Sequence, residues 1–115
     1  MGVVYYANYL VWFEVGRTDL LLGAEWSYRD METEGFALPV IEAHCVYHES
    51  AKYDDEIEIR TMGAAISPVR VQFTYEIIRS ADNAPIATGT TVHATLDRNG
   101  RPCRLPERVR SILSS

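Results

Sequence analysis

Gly2-Val3-Val4-Tyr5-Tyr6-Ala7-Asn8-Tyr9-Leu10-Val11-Trp12-Phe13-Glu14-Val15-Gly16-Arg17 sets the reading of everything that follows it. A short glycine-led loop runs into a segment of helical spacing whose first turns are almost wholly apolar. Asn8 is the expected N-cap and Gly23 the expected stop. Leu10, Phe13, Leu20 and Leu21 form a broad apolar face. Val11, Trp12, Val15 and Leu22 carry it around most of the cylinder, which predicts burial on most sides. Glu14, Arg17 and Thr18 share one stripe at spacing i, i+3 and i+4, where Glu14 and Arg17 read as an ion pair orienting the helix. The unpaired N–H groups at the start of such a helix, the positive end of its dipole, suit a carbonyl oxygen or another anion at the edge of a buried pocket.

Outward from this helix the pattern changes. Ser27 looks like the cap of a short second helix through about Glu34, ended by Gly35. Beyond it the apolar period becomes two. Val40–His48 places Ile41, Ala43, Cys45 and Tyr47 against Glu42, His44 and His48. Asp55–Ile66 opposes Ile57 and Ile59 to Glu56, Glu58 and Arg60. Val69–Arg79 alternates Val69, Val71, Phe73, Tyr75 and Ile77 with Arg70, Gln72, Thr74 and Glu76. Ile86–Asp97 alternates Ile86, Thr88, Thr90, Val92, Ala94 and Leu96 with Gly89, Thr91, His93 and Thr95. Four half-buried strands with short breaks predict an antiparallel meander. Asp97-Arg98-Asn99-Gly100 is a turn, and Pro106–Leu113 a short closing helix. The expectation is one α+β domain over residues 1–115, with a sheet wrapped around one largely buried helix.

Bulk composition narrows the function classes. Of the 115 residues 47% are hydrophobic and 23% charged, ordinary for a globular domain, and the net charge is −5. That acidity argues against nucleic acid as a partner. The charge is uneven, however: residues 1–96 hold 6 basic and 14 acidic groups, residues 97–115 hold 5 and 2. The arginine-rich tail would either meet a phosphorylated ligand or decorate a solvated helix end. No apolar run approaches a membrane span and no leader pattern opens the chain, so a cytoplasmic location is expected. Cys45 and Cys103, far apart, read as free thiols. His44, His48 and His93 lack a metal-ligand spacing, and no metal site is expected.

The opening stretch resembles the signature of the 4-hydroxybenzoyl-CoA thioesterase-like, Tol-Pal-associated acyl-CoA thioesterase branch of the hotdog-fold superfamily. That pattern runs approximately Asp-x-x-Gly-[Val/Ile]-Val-Tyr-[His/Tyr]-x-Asn-Tyr-Leu-x-[Trp/Tyr]-[Phe/Leu]-Glu-x-x-Arg, and the chain follows it from Gly2 to Arg17. Leu38–Cys45, Ala51–Asp55 and Ala87–His93 look like later landmarks of the same branch. The resemblance implies the hotdog fold and hydrolysis of an acyl- or aroyl-coenzyme A thioester. It also implies homodimers or homotetramers with sites between subunits, and no cofactor beyond the coenzyme A of the substrate. In the family an extra strand precedes the signature, and the pattern's aspartate would fall two positions before Met1. The expectation is that this first strand is absent from the chain and that Met1 is an internal residue of a longer protein.

By the same resemblance, the backbone N–H of Tyr6 donates to the thioester oxygen, aided by the helix dipole. Asn8 caps the helix and shapes the loop. Glu14 is the nearest acid within the chain. Ser67 and Arg70 sit where a strand connection in this family approaches the nucleotide of coenzyme A, and Arg101 and Arg104 are further phosphate partners. Glu42 and His44, on an outward strand face, would need a second subunit to reach a site. The competing expectation is a catalytically silent hotdog module that binds acyl-CoA, acyl carrier protein or a protein partner.

Overall fold

The computed structural model describes residues 7–23, 28–52, 54–107, 110 and 113. Helix α1 spans Ala7–Gly23 and α2 Tyr28–Glu34; strands β1 Val40–Tyr47, β2 Ile57–Ser67, β3 Arg70–Arg79 and β4 Pro85–Ala94 follow. Asn8 is therefore inside the helix and not the cap before it; α1 runs from Ala7, two positions before the Tyr9 start that an Asn8 cap implies. α2 ends as expected at Gly35, whose φ of 86° only glycine adopts freely. There the Phe36 N–H closes on the Met31 carbonyl at 2.9 Å. Ser27, the expected cap of α2, lies outside the described residues.

All four strands are antiparallel, in the order β1-β4-β3-β2. β2, β3 and β4 form the expected meander. β1 departs from it: it crosses to the far side and pairs with β4, so β1 and β2 are the two edges. The sheet curves around α1 in the hotdog arrangement. Among the described positions, 107, 110 and 113 are helical, and the Arg110 N–H reaches the Pro106 carbonyl at 3.0 Å. Leu113 is buried from this segment.

The core is built where α1 meets β3 and β4. Phe13, Val71, Phe73, Tyr75, Ile77, Ile86 and Ala87 are fully buried, and Phe13 stacks on Tyr75 with centroids 4.4 Å apart. Such contact depends on missing side chains. A Cβ on Gly89 would collide with the Phe13 ring and lie 2.6 Å from the His44 carbonyl; one on Gly16 would run into Thr61 and Ile59. On β4, Gly89, Thr91 and His93, the set expected opposite Ile86 and Val92, lie toward the core, and Ile86 and Val92 are buried as well. Gly89 carries no side chain there because the Phe13 ring occupies the space a Cβ would need.

Two further expectations change. α1 is not enclosed on most sides: Tyr9, Phe13 and Leu21 are buried, but Leu10, Val11 and Val15 are 46%, 53% and 44% exposed. β1 has no buried face: Val40, Ile41, Val46 and Tyr47 are all exposed and only Cys45 is half-buried. One curved sheet covers one side of a helix, and the edge strand lies beyond its reach.

The other end of the sheet is tied by charge. Arg79 contacts Glu49 at 3.5 Å, Asp55 at 3.2 Å and Asp82 at 3.0 Å, and donates to the Ser50 carbonyl at 3.1 Å. These bonds hold the connection between β1 and β2 against the β3–β4 turn. The Ala51 N–H donates to the Tyr9 hydroxyl at 3.4 Å, joining that connection to the first turns of α1.

Gly89→Ala should cost about 1–3 kcal/mol through overpacking against Phe13 and the β1 backbone. The measurement is the urea midpoint; an unchanged midpoint would mean that the helix is free to lift from the sheet.

Candidate active site

Two of the hollows formed by the described residues flank this core. The larger, about 710 Å³, is an apolar trough of Met31, Phe36, Ala37, Leu38, Pro39 and Leu96 with Arg29. The smaller, about 250 Å³, is a slot between α1 and the β1–β4 pair, lined by Leu10, Val11, Glu14, Arg17, Val40, Ala43 and Thr91. The trough offers size with Arg29 as its one ionisable side chain. The slot brings a carboxylate, Glu14, a guanidinium, Arg17, and a hydroxyl, Thr91, together beside the helix. From Leu10 to Arg17 it follows α1 for about 10 Å, at 1.5 Å per residue.

Beneath the slot runs a line of buried polar groups. The Tyr75 hydroxyl lies 2.6 Å from Thr91 Oγ1, which lies 2.8 Å from His93 Nε2. His93 Nδ1 lies 2.8 Å from the Leu38 carbonyl, and Arg17 Nη1 makes a long contact of 3.5 Å to Tyr75 Oη. Tyr75, Thr91 and His93 are all buried. Burial holds the His93 imidazole below its ordinary value of 6.5; its bond to Leu38 works against this, and the Arg17 charge reinforces it. His93 is thus a neutral ring in the fold.

Each expected site residue has a definite place or lies outside the described residues. Tyr6 lies outside them, immediately before α1, and the Asn8 side chain is likewise not described. Glu14 is exposed on the slot, about 10 Å along the helix from Ala7. The expected Glu14–Arg17 ion pair is not among the salt bridges of the described residues, because Arg17 turns inward to Tyr75.

Ser67 ends β2 at a bulge and its Oγ accepts from the Val69 N–H at 3.3 Å. Arg70, exposed, opens β3 opposite Ala94. Segment 101–105 is laced to the same end: the Cys103 N–H reaches the Thr95 carbonyl at 2.9 Å, and the Leu105 N–H reaches that of Pro68 at 3.4 Å. The fold therefore gathers Ser67, Arg70 and Arg104 at one end of the sheet, while Arg101 closes the Asp97 turn, its N–H on Asp97 Oδ1 at 3.1 Å. Alternation along β3 puts Arg70 on the face opposite buried Val71, across the sheet from the slot. Tyr75, Thr91 and His93 were not singled out from sequence. The available signal is a histidine at period two from a threonine, on the alternation opposite Ile86 and Val92.

His93 also makes stability depend on pH. In the unfolded chain the ring takes up a proton below about 6.5, whereas the native ring resists it. This contribution is complete above 6.5 and declines as pH falls toward the lower native value. Urea midpoints between about pH 5 and about pH 8 should show that decline, and His93→Gln should flatten it.

Comparison with known proteins bears on the same features. The profile of the thioesterase-like superfamily matches residues 1–113. The putative acyl-CoA thioesterase YneP of Bacillus subtilis is 34% identical over 98 residues, covering 85% of this chain and 70% of that protein. The acyl-CoA thioester hydrolase YbgC of Escherichia coli O157:H7 is 28% identical over 109 residues, 94% of this chain and 81% of that one. Among solved structures, the DHNA-CoA thioesterase of Staphylococcus aureus superposes with a TM-score of 0.84 at 32% identity, over 93% of this chain and 72% of that one. With its sheet curved around α1 and the family profile spanning nearly its whole length, this chain belongs to the thioesterase-like superfamily.

Proposed function

We propose that this protein is an acyl-CoA thioesterase, hydrolysing an acyl- or aroyl-coenzyme A thioester. The observation that carries the reading is the slot along α1, which begins near the helix N-terminus and is walled by Leu10, Val11, Val40 and Ala43. The relatives named as acyl-CoA thioester hydrolases support it. The thioester carbonyl would sit on the Tyr6 N–H, where that donor and the helix dipole would stabilise charge developing on oxygen. The acyl group would run down the slot toward Arg17 and Thr91. Water attacks the carbonyl carbon, the C–S bond breaks, and the coenzyme A thiolate takes a proton as it leaves. Glu14 is the acid within the slot. At about 10 Å from the start of the helix it stands beside the acyl group, in one chain, more than beside the carbonyl. That placement favours, as a second reading, a silent module that binds acyl-CoA or a carrier protein without turnover.

Ser67, Arg70, Arg101 and Arg104 would serve the phosphates of coenzyme A. Because Arg70 faces away from the slot of its own chain, this role fits a neighbouring copy better. No further cofactor is invoked. Among the described residues no helix is long and apolar enough to cross a membrane, and with two free thiols the proposed compartment is the cytoplasm.

A homo-oligomer is part of the same proposal. β1 is an edge strand with Val40, Ile41, Val46 and Tyr47 at 44–56% exposure, next to the exposed Leu10, Val11 and Val15 of α1. An apolar edge of this kind is a template for pairing. A second copy joining β1 to β1 would cover the strand, extend the sheet and close the slot.

Two measurements test the proposal. Thiol release from a panel of acyl- and aroyl-CoAs should be catalysed by the chain. Tyr6→Pro, which removes the N–H, should slow it by about 10²–10³, while Tyr6→Phe should not. Saturable binding without thiol release would establish the silent reading in its place. Light scattering should give at least a dimer, and Ile41→Lys should shift it toward monomer; a monomeric parent protein would end the oligomer argument.

A further inference from the structure

The buried polar line under the slot has a single possible proton order. The Leu38 carbonyl only accepts, so His93 Nδ1 carries the proton and Nε2 is bare. Thr91 therefore donates its one hydroxyl proton to His93 Nε2, across 2.8 Å. With that proton used, Thr91 Oγ1 accepts from the Tyr75 hydroxyl at 2.6 Å, and Tyr75 Oη accepts from Arg17. Arg17 to Tyr75 to Thr91 to His93 to Leu38 is one directional chain, fixed from its far end by a backbone carbonyl.

This chain joins both walls of the slot. Arg17 and Thr91 line it directly. Leu38 lies two residues before Val40, which lines the opposite wall, and the Pro39 carbonyl between them accepts from the Ala94 N–H at 3.2 Å. The surroundings are otherwise apolar: Phe73 meets the His93 ring edge-on at 5.2 Å, and Phe13 stacks on Tyr75. A buried polar network in such a place is costly unless each member is satisfied, and apolar residues would fill the space more cheaply.

We propose that His93 is a positioning residue for the slot, which orients Thr91 through Nε2 and anchors the Val40 wall through Nδ1, so that α1 and β1 stay at the spacing the acyl group requires. The proposal rests on the thioesterase reading for its substrate, but its physical content concerns the slot alone.

The two ring nitrogens are tested separately. His93→Gln keeps an acceptor near the Nε2 position and loses the Leu38 anchor; His93→Asn keeps a donor near Nδ1 and loses the Thr91 acceptor. Each should raise KM for acyl-CoA by about 5- to 10-fold with a smaller change in kcat. Thr91→Val should do the same, Thr91→Ser should restore the parent KM, and His93→Asn combined with Thr91→Val should be no worse than either alone. Affinity for a non-hydrolysable acyl-CoA thioether, measured in parallel, should follow KM. Binding without turnover in the parent protein would sink the hydrolase reading while this comparison of affinities still holds. Folded His93 and Thr91→Val variants with parental KM and thioether affinity would overturn the proposal. Imidazole ¹⁵N NMR of the unmutated protein gives a substrate-free check: a protonated Nδ1 and bare Nε2 are expected, and the opposite tautomer would overturn it.

Discussion

Close docking of α1 on the sheet, its backbone nearest β2 and the Phe13 ring reaching across β3 to β4, is the constraint from which the other features follow. Phe13 reaches the Tyr75 ring only because Gly89 offers no Cβ beneath it, and Gly16 lets the helix backbone approach Ile59 and Thr61. On β4 the Phe13 ring fills the space above Gly89. Thr91 and His93 are buried beside it, and their polar atoms must find partners within the protein. They find Tyr75 on one side and Leu38 on the other. Packing geometry thus places the polar chain, and the polar chain ties the helix to the segment leading into β1.

The same docking leaves the opposite flank of α1 uncovered. Leu10 and Val11 stand across the slot from Val40 and Ala43, and Val15 and Ile41 are exposed on the same helix and strand. A helix apolar around most of its circumference gains by burial of every face, at roughly 25 cal/mol per Å². One sheet of four strands can bury only part of it. On the proposed reading, the uncovered part is where a substrate and a second copy would meet on the same apolar surface.

Much of this was legible in the residues. The helix from Tyr9 to Gly23, the short helix ended by Gly35, the inward set Val71, Phe73, Tyr75 and Ile77, and the Asp97 turn follow from local rules of period, cap and turn. The opening motif carried the family and the slot's helix with it. Less legible were the β4 face and the pairing of β1. Ile86 and Val92 are buried as their apolar character indicates, but Thr91 and His93 of the opposite alternation are buried as well, against Tyr75 and Phe73. Arg17 reads as a partner for Glu14 by helical spacing. Its turn toward Tyr75 depends on β3 lying underneath, which no local pattern contains.

Sequence alone determined the elements, their order and the chemical character of α1, because backbone preference and apolar period act over a few residues. Tertiary structure decided which face of β4 points inward, which strand pairs with β4's free side, and that His93, Thr91 and Tyr75 meet. Those outcomes depend on distances between segments far apart in the chain, as in the bond from His93 to Leu38, 55 residues away. Such distances are set by how closely two backbones approach, a quantity that the glycines permit but that only the assembled fold fixes.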